Sequence, residues 1–460
     1  MMTYHGKEET RFMANQTDLT QGNVRRQLIQ YSLPIIASTV MQTVYSLVDL
    51  MVVSRMLGSS GASGVSNSSQ IVLMLTNIAV GLANGGNILV SQYFGSHDKV
   101  RQERVTGTFL TLFTLIGLFV AAGTFLFAGP ILRLIDAPAF DEALAYLRIA
   151  GLGMFFVYFY NCASSVLRAV GNSKQPMRII LVTCILNVAL DLLFVGPLGL
   201  GTAGAALATV LSQGLSCVLA LVYLLKNRDI FAFGREMLKL NGTDTAGILK
   251  LGIPCAVQMT VASISWLTVT FLVNGYGVDC SAASAYAAKV KDLSMMFITS
   301  LINAASVMIA QTLGAGKFDR AKEVLGEAMK LSILISLALI VIVELGAPLF
   351  ARLFTSDAEV IRIAVLNMRI EIVGQIFYSI FLIYHAMMIG AGDTYMVLVS
   401  SFVNCILFRI ILCTIFNSIW GLTGIFVACA IAPASSIPVG LLYMKSNHWR
   451  RSIAQQQEAH

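Results

Sequence analysis

Four oxygen-bearing side chains inside apolar stretches are the residues best placed to do chemistry: Asp49, Asn187, Asp191 and Thr209. Ionisable residues are rare in such stretches, and where they occur they face a cavity or a partner. Asn187 and Asp191 are spaced i, i+4, so a helix presents both on one face. At 1.5 Å per residue, Asp191 lies about 22 Å from the start of its stretch, and Thr209 about 9 Å from the opposite end of the next one. Together these approach the roughly 30 Å of a bilayer core, so the two share a depth, and Asp49 comes out near it. Two carboxylates, an amide and a hydroxyl at one depth can hold Na⁺ or share a proton. The competing reading is that they are interhelical hydrogen-bond partners that only pack the bundle.

Gln42 sits two turns before Asp49 on the same face. With Asn161 it is a candidate for lining a substrate cavity, and a helix-packing amide is the equal alternative. Pro34 is a candidate bend, because a proline inside a helix removes one backbone donor. The second half has its own polar set: Lys289, Lys291, Asp292, Glu344, Arg369, Glu371, His385 and Arg409. Glu344 and Arg409 come out at equal depth, which predicts a structural ion pair. Arg369 and Glu371 are two residues apart and face different ways. Glu371 is a candidate second proton site. His385, near the inner end of its stretch, is a candidate cavity or interface residue. There is no nucleophile constellation and no metal-ligand cluster, so the only metal foreseen is transient Na⁺. GxxxxGK[ST] is absent, so ATP is not the energy source within this chain and no cofactor is expected.

The elements that carry these residues follow from composition. The chain has 460 residues, 57% hydrophobic and 12% charged, with a mean hydropathy of +0.77. Soluble domains carry about 25% charged residues, so this is an all-α integral membrane protein rather than a soluble enzyme. Apolar runs fall at 29–53, 70–92, 105–128, 143–166, 176–198, 203–225, 248–274, 285–312, 329–350, 360–388, 395–418 and 421–444. Each is apolar all round, as a spanning helix is and a barrel strand is not. Seven of the eight cysteines lie in these runs and no CxxC occurs, which argues against disulfide or zinc frameworks.

The two halves repeat. Leu33-Pro34 matches Ile253-Pro254, Gln92–Gly95 matches Gln311–Gly314, Val170–Ser173 matches Ala391–Thr394, and Gly201 and Gly204 match Gly421 and Gly424, all at an offset near 220. Six spans per half is even, so the repeats are parallel, two six-helix lobes around a central cavity. At the same offset Asp49, Asp191 and Thr209 become Val269, Ile411 and Cys429, so the architecture does not itself require acids there. The expected organisation is an N-tail (1–27), an N-lobe (28–226), a linker (227–247), a C-lobe (248–445) and a C-tail (446–460). Lys and Arg crowd the tails and the loops at 93–105, 168–178, 226–250 and 313–330. The opposite side holds Arg55, Arg133, Lys289, Lys291, Arg352 and Arg362. Both termini are therefore expected to be cytoplasmic. The net charge of +7 reads as this topology signal, not as nucleic-acid binding.

The chain resembles the MATE family of multidrug and toxic compound extruders over nearly its whole length. The resemblance is carried by Leu33-Pro34 through Gln42 to Val48-Asp49 and Leu57-Gly58, by Leu167–Lys174, and by Asn187 with Asp191. It continues through Gly204–Thr209, Gly252-Ile253-Pro254 and Gly390–Thr394. It implies twelve helices in two lobes and cation-coupled export of amphipathic or cationic compounds. It also implies that Asp49, Asn187, Asp191 and Thr209 form the coupling site, that Gln42 and Asn161 lie in the same lobe's cavity, and that the first helix bends at Pro34. The chain departs from family patterns at Ile389, where Arg is frequent, and at Ala262 and Ile380, where some branches place acids. Those departures argue against C-lobe Na⁺ coupling of that type. The expected activity is a secondary multidrug antiporter driven by H⁺ or Na⁺. It would work by alternating access as a monomer in the lipid bilayer of a bacterial-type plasma membrane. The alternatives are a lipid-linked oligosaccharide flippase of the same superfamily and a membrane-embedded enzyme with His385 as base.

Overall fold

The computed structural model describes residues 18–137, 139–227 and 239–450. Residues 1–17, 228–238 and 451–460, which hold most of the expected tails and linker, lie outside that set, as do the side chains of Leu57 and Gly58. Among the described residues there is no strand. Eleven helices are long and apolar enough to cross a membrane, and a bent pair supplies a twelfth span. In chain order the spans are α1 (Val24–Val53), α2 (Gly64–Gly95), α3 (Lys99–Leu134), α4 (Phe140–Ala169), α5 (Lys174–Val195) and α6 (Gly201–Lys226). The second set is α7 (Gly242–Asn274), α8 (Val278–Gly314), α9 (Phe318–Phe354), the bent α10 (Ala358–Val373 and Gln375–Ala391, 43° apart), α11 (Thr394–Trp420) and α12 (Leu422–Ser446).

Helical backbone continues from Val24 to Gly95, but α1 and α2 are separate spans. Val48, Val52 and Val53 from the first and Val65 and Val72 from the second pack into one cluster with Tyr146, Val195 and Ala205. Both spans can meet that cluster only if the chain reverses between them. The repeat is also written in the backbone. His97 and Gly316, Gly171 and Gly392, and Gly201 and Gly421 are three pairs near the 220-residue offset, and all six residues have positive φ. The last two pairs are glycines that end one helix or open the next, where the left-handed region excludes most side chains.

The chain forms two compact units. One contains Leu33–Ala256; the other contains Leu19–Ser32 with Val257 onward. Each unit therefore takes in the leading segment of the other half. The changeovers fall one residue before Pro34 and two after Pro254, where each helix loses a backbone hydrogen bond. In the second unit Arg320 donates to the carbonyls of Leu19 (3.1 Å), Gln21 (2.9 Å) and Gly22 (2.8 Å), and Lys317 donates to that of Thr20 (2.9 Å). In the first unit Arg104 grips Asp244 through Nε (2.7 Å) and Nη2 (3.1 Å). There α2 and α7 cross closely: a Cβ on Gly85 would fall on the backbone of Gly252, the small-residue contact that membrane helices use in place of hydrophobic driving force.

Large apolar side chains face outward along α9, among them Leu334, Val341, Leu345 and Leu349, and along α3, including Phe119 and Leu126. Lipid is the medium in which such faces cost nothing.

Candidate functional site

The N-lobe site is built on α1 and α5. Beyond Thr183, α5 is apolar except for Asn187 and Asp191, whose i, i+4 spacing turns both inward: Asp191 is 0% exposed and Asn187 2%. Asp49 faces Asp191 from α1, close enough for direct side-chain interaction. Tyr45 and Tyr146 lie within electrostatic reach of both carboxylates. Tyr146 is held by Ser69, whose hydroxyl is 3.4 Å away. Among the described residues, Asp49 Oδ1, both oxygens of Asp191 and both ends of the Asn187 amide have no hydrogen-bond partner. Two unit charges 4 Å apart at an effective dielectric of 20 repel by about 4 kcal/mol. The arrangement thus gathers carboxylate oxygen atoms, withholds hydrogen-bond donors from them, and leaves a proton or a small cation as the means of relief.

The remaining expected members make these contacts. The Thr209 hydroxyl donates to the Ala205 carbonyl on its own helix (3.1 Å). Asn161 Nδ2 donates to the Val157 carbonyl of its own helix (2.9 Å). Gln42 is exposed on α1. Pro34 lies inside α1, just ahead of a run of hydroxyls that bond back to carbonyls one turn earlier: Ser38 to Pro34 (2.8 Å), Thr39 to Ile35 (3.0 Å) and Thr43 to Thr39 (3.0 Å). Such back-bonding loosens and bends a helix.

In the C-lobe the two expected polar residues are not one site. Glu371 accepts from Lys291 Nζ at 2.8 Å. His385, fourteen residues further on and therefore about 21 Å along the bent helix, is 3% exposed and stacks on Phe381 with ring centroids 4.2 Å apart. The expected Glu344–Arg409 pair does not form. Glu344 pairs instead with Arg369, 3.4 Å away and half-exposed, whereas Arg409 is 2% exposed with its guanidinium over the Trp266 ring at 4.5 Å. Equal depth did not bring the two together because one faces outward and the other inward.

The counterpart of the acid site is also shifted. Val269 and Cys429 are buried in one apolar cluster, as the repeat offset requires, but the residue beside them is Cys413, not Ile411. Its sulfur lies 3.8 Å from that of Cys429. A π-helical stretch, Val403–Ile410, lies just ahead of Cys413 in α11, and such a stretch changes the register of the residues that follow it. The sequence reading did not foresee Trp266 or Asn404 as parts of a polar cluster. The available signal for the second was its position five residues before Arg409.

The MatE family model matches residues 34–193 and 254–415, once per half. The chain is 32% identical over 351 residues to the probable multidrug resistance protein YoeA of Bacillus subtilis, covering 74% of this chain and 76% of that one. It is 28% identical to the probable multidrug resistance protein YpnP of the same organism, over 94% and 97% of the two chains. Among solved structures, an outward-facing multidrug resistance MATE transporter of the MOP superfamily superposes with a TM-score of 0.88 at 22% identity, over 94% and 97% of the chains. A MOP superfamily transporter from Pyrococcus furiosus superposes with a TM-score of 0.89 at the same identity, over 94% and 98%. A doubled family match, two repeated lobes and the shared twelve-span fold agree, and this chain belongs to the MATE family of membrane transporters.

Proposed function

We propose that this chain is a secondary multidrug efflux antiporter. It exports amphipathic or cationic organic compounds in exchange for H⁺ or Na⁺, with Asp49, Asn187 and Asp191 as the coupling groups and Thr209 at their margin. The observation that carries this reading is the carboxylate pair, Asp191 fully buried and Asp49 partly so, with buried oxygens that lack donors. Acids inside spanning helices are costly and are kept where they serve a pathway or a partner. The second lobe has Val269 and Cys413 in the equivalent places, so the fold does without acids there. Binding of the cation neutralises the pair, and α1 bends at Pro34, where its hydrogen-bond ladder is already broken. That movement couples cation binding to release of the exported compound. The printed names of the relatives support multidrug export.

The protein sits in the plasma membrane with both termini in the cytoplasm, organised as an N-lobe and a C-lobe joined by the 227–247 linker. It needs no cofactor and works as a monomer. In everted vesicles, Asp49→Asn and Asp191→Asn should each abolish gradient-driven dye efflux while the protein remains folded and inserted. Intact efflux in both variants would overturn the coupling role. Uptake into proteoliposomes under an imposed Na⁺ or H⁺ gradient identifies the ion.

A further inference from the structure

The C-lobe holds a buried positive charge with no carboxylate of its own. Lys289 and Lys291 lie within electrostatic reach of Asp292, and Lys291 bonds Glu371 directly. Arg369 pairs with Glu344. Arg409 is left over. It is 2% exposed, and among the described residues no group bonds its Nε or Nη1. Asn404, five residues earlier on the same π-helical stretch, is 1% exposed, and both ends of its amide are also without partners. A π-helix brings residues five apart to neighbouring positions, and such stretches recur at functional sites. The Trp266 ring carries the Lys291 ammonium 3.4 Å from its centroid and the Arg409 guanidinium at 4.5 Å. An aromatic face eases the burial of a cation but does not cancel its charge.

We infer that Arg409, with the Asn404 amide and beside Trp266, is a binding site for a monovalent anion, a halide or a carboxylate. A guanidinium cannot shed its proton to escape burial. Leaving one uncompensated is among the costlier defects in a protein interior, and an anion removes it. Guanidinium N–H groups and an amide NH₂ are donors suited to chloride and to a carboxylate alike. The site takes one charge, because Lys291 and Glu371 pair and leave Arg409 unmatched among the described buried charges of this cluster.

The test uses the native full-length protein, purified in detergent in a bulky sulfonate buffer free of halide and carboxylate. Bromide quenches indole emission on contact, and Trp266 touches the site. The expected result is a saturable quenching component in the native protein that is absent in both Arg409→Gln and Trp266→Phe. Arg409→Lys should keep saturation with its midpoint moved up at least threefold. Benzoate that shifts the bromide midpoint identifies carboxylates as ligands of the same site, and no shift restricts the site to halides. Quenching that rises linearly without saturation in the native protein overturns the inference whether or not the variants fold. So does a saturable component that survives unchanged in Arg409→Gln.

Discussion

The two lobes repeat one backbone and invert its charge. In the N-lobe, the polar cluster consists of the buried Asp191 and Asn187 with the partly buried Asp49, with oxygens in excess of donors. In the C-lobe the same helical positions hold Val269, Cys413 and Cys429, packed and apolar, and the buried polarity has moved to Arg409, Asn404, Lys291 and Glu371. Duplication preserved the turns, the left-handed glycines and the helix-breaking prolines. It did not preserve the buried acids, which is the contrast on which the proposed coupling role rests.

Asp191→Asn breaks that contrast most sharply. Efflux in everted vesicles should fall at least about tenfold, a loss of some 1.4 kcal/mol or more. The thermal midpoint of the purified protein should hold or rise, because an unpaired buried charge is removed. A large fall in the midpoint would mean that the acid is structural after all. Next in size is the Lys291–Glu371 pair, which is mostly buried on both sides. Glu371→Gln should destabilise by about 1–3 kcal/mol, discounted for residual solvent. The double variant Lys291→Met with Glu371→Met should recover most of that loss in a double-mutant cycle read by thermal unfolding. Pro34→Ala should slow turnover by roughly two- to fivefold, as expected for a residue in a moving element, with a smaller effect for Pro254→Ala, whose helix α7 carries neither acid of the pair. The smallest effect belongs to Arg369→Ala: its partner Glu344 is half-exposed, and such pairs contribute about 0–1 kcal/mol to the midpoint.

The amino-acid sequence made the span count, the duplication and the acid cluster legible, each for a physical reason. Hydropathy reports helices in lipid, conserved turn residues report the repeat, and i, i+4 spacing reports a shared face on α5. It misplaced Arg409 because rise per residue gives depth but not azimuth: Glu344 and Arg409 share a level and point opposite ways. It misplaced the counterpart of Asp191 because a π-helical turn changes register without any marker in composition. It gave no sign that the leading segments change units at Pro34 and Pro254, since both sides of each proline are equally apolar or polar as a helix requires. Thr209 and Asn161 illustrate another limit: nothing in the sequence marks the bonds that the Thr209 hydroxyl and the Asn161 amide make to carbonyls of their own helices.

The exchanged leading segments carry an ancestral consequence. A lone six-span copy with this trait would have an unfilled slot where its partner's first turns now lie, and a loose end with nowhere of its own to dock. It would be complete only as a pair of chains, each threaded into the other. In the present chain both halves lie in one polypeptide, which turns such an assembly equilibrium into a fixed stoichiometry and lets the two halves carry different buried groups, acids in one and an arginine in the other. Cutting the present chain within 227–247 and co-producing the fragments should therefore restore a working protein, whereas neither fragment should be stable by itself.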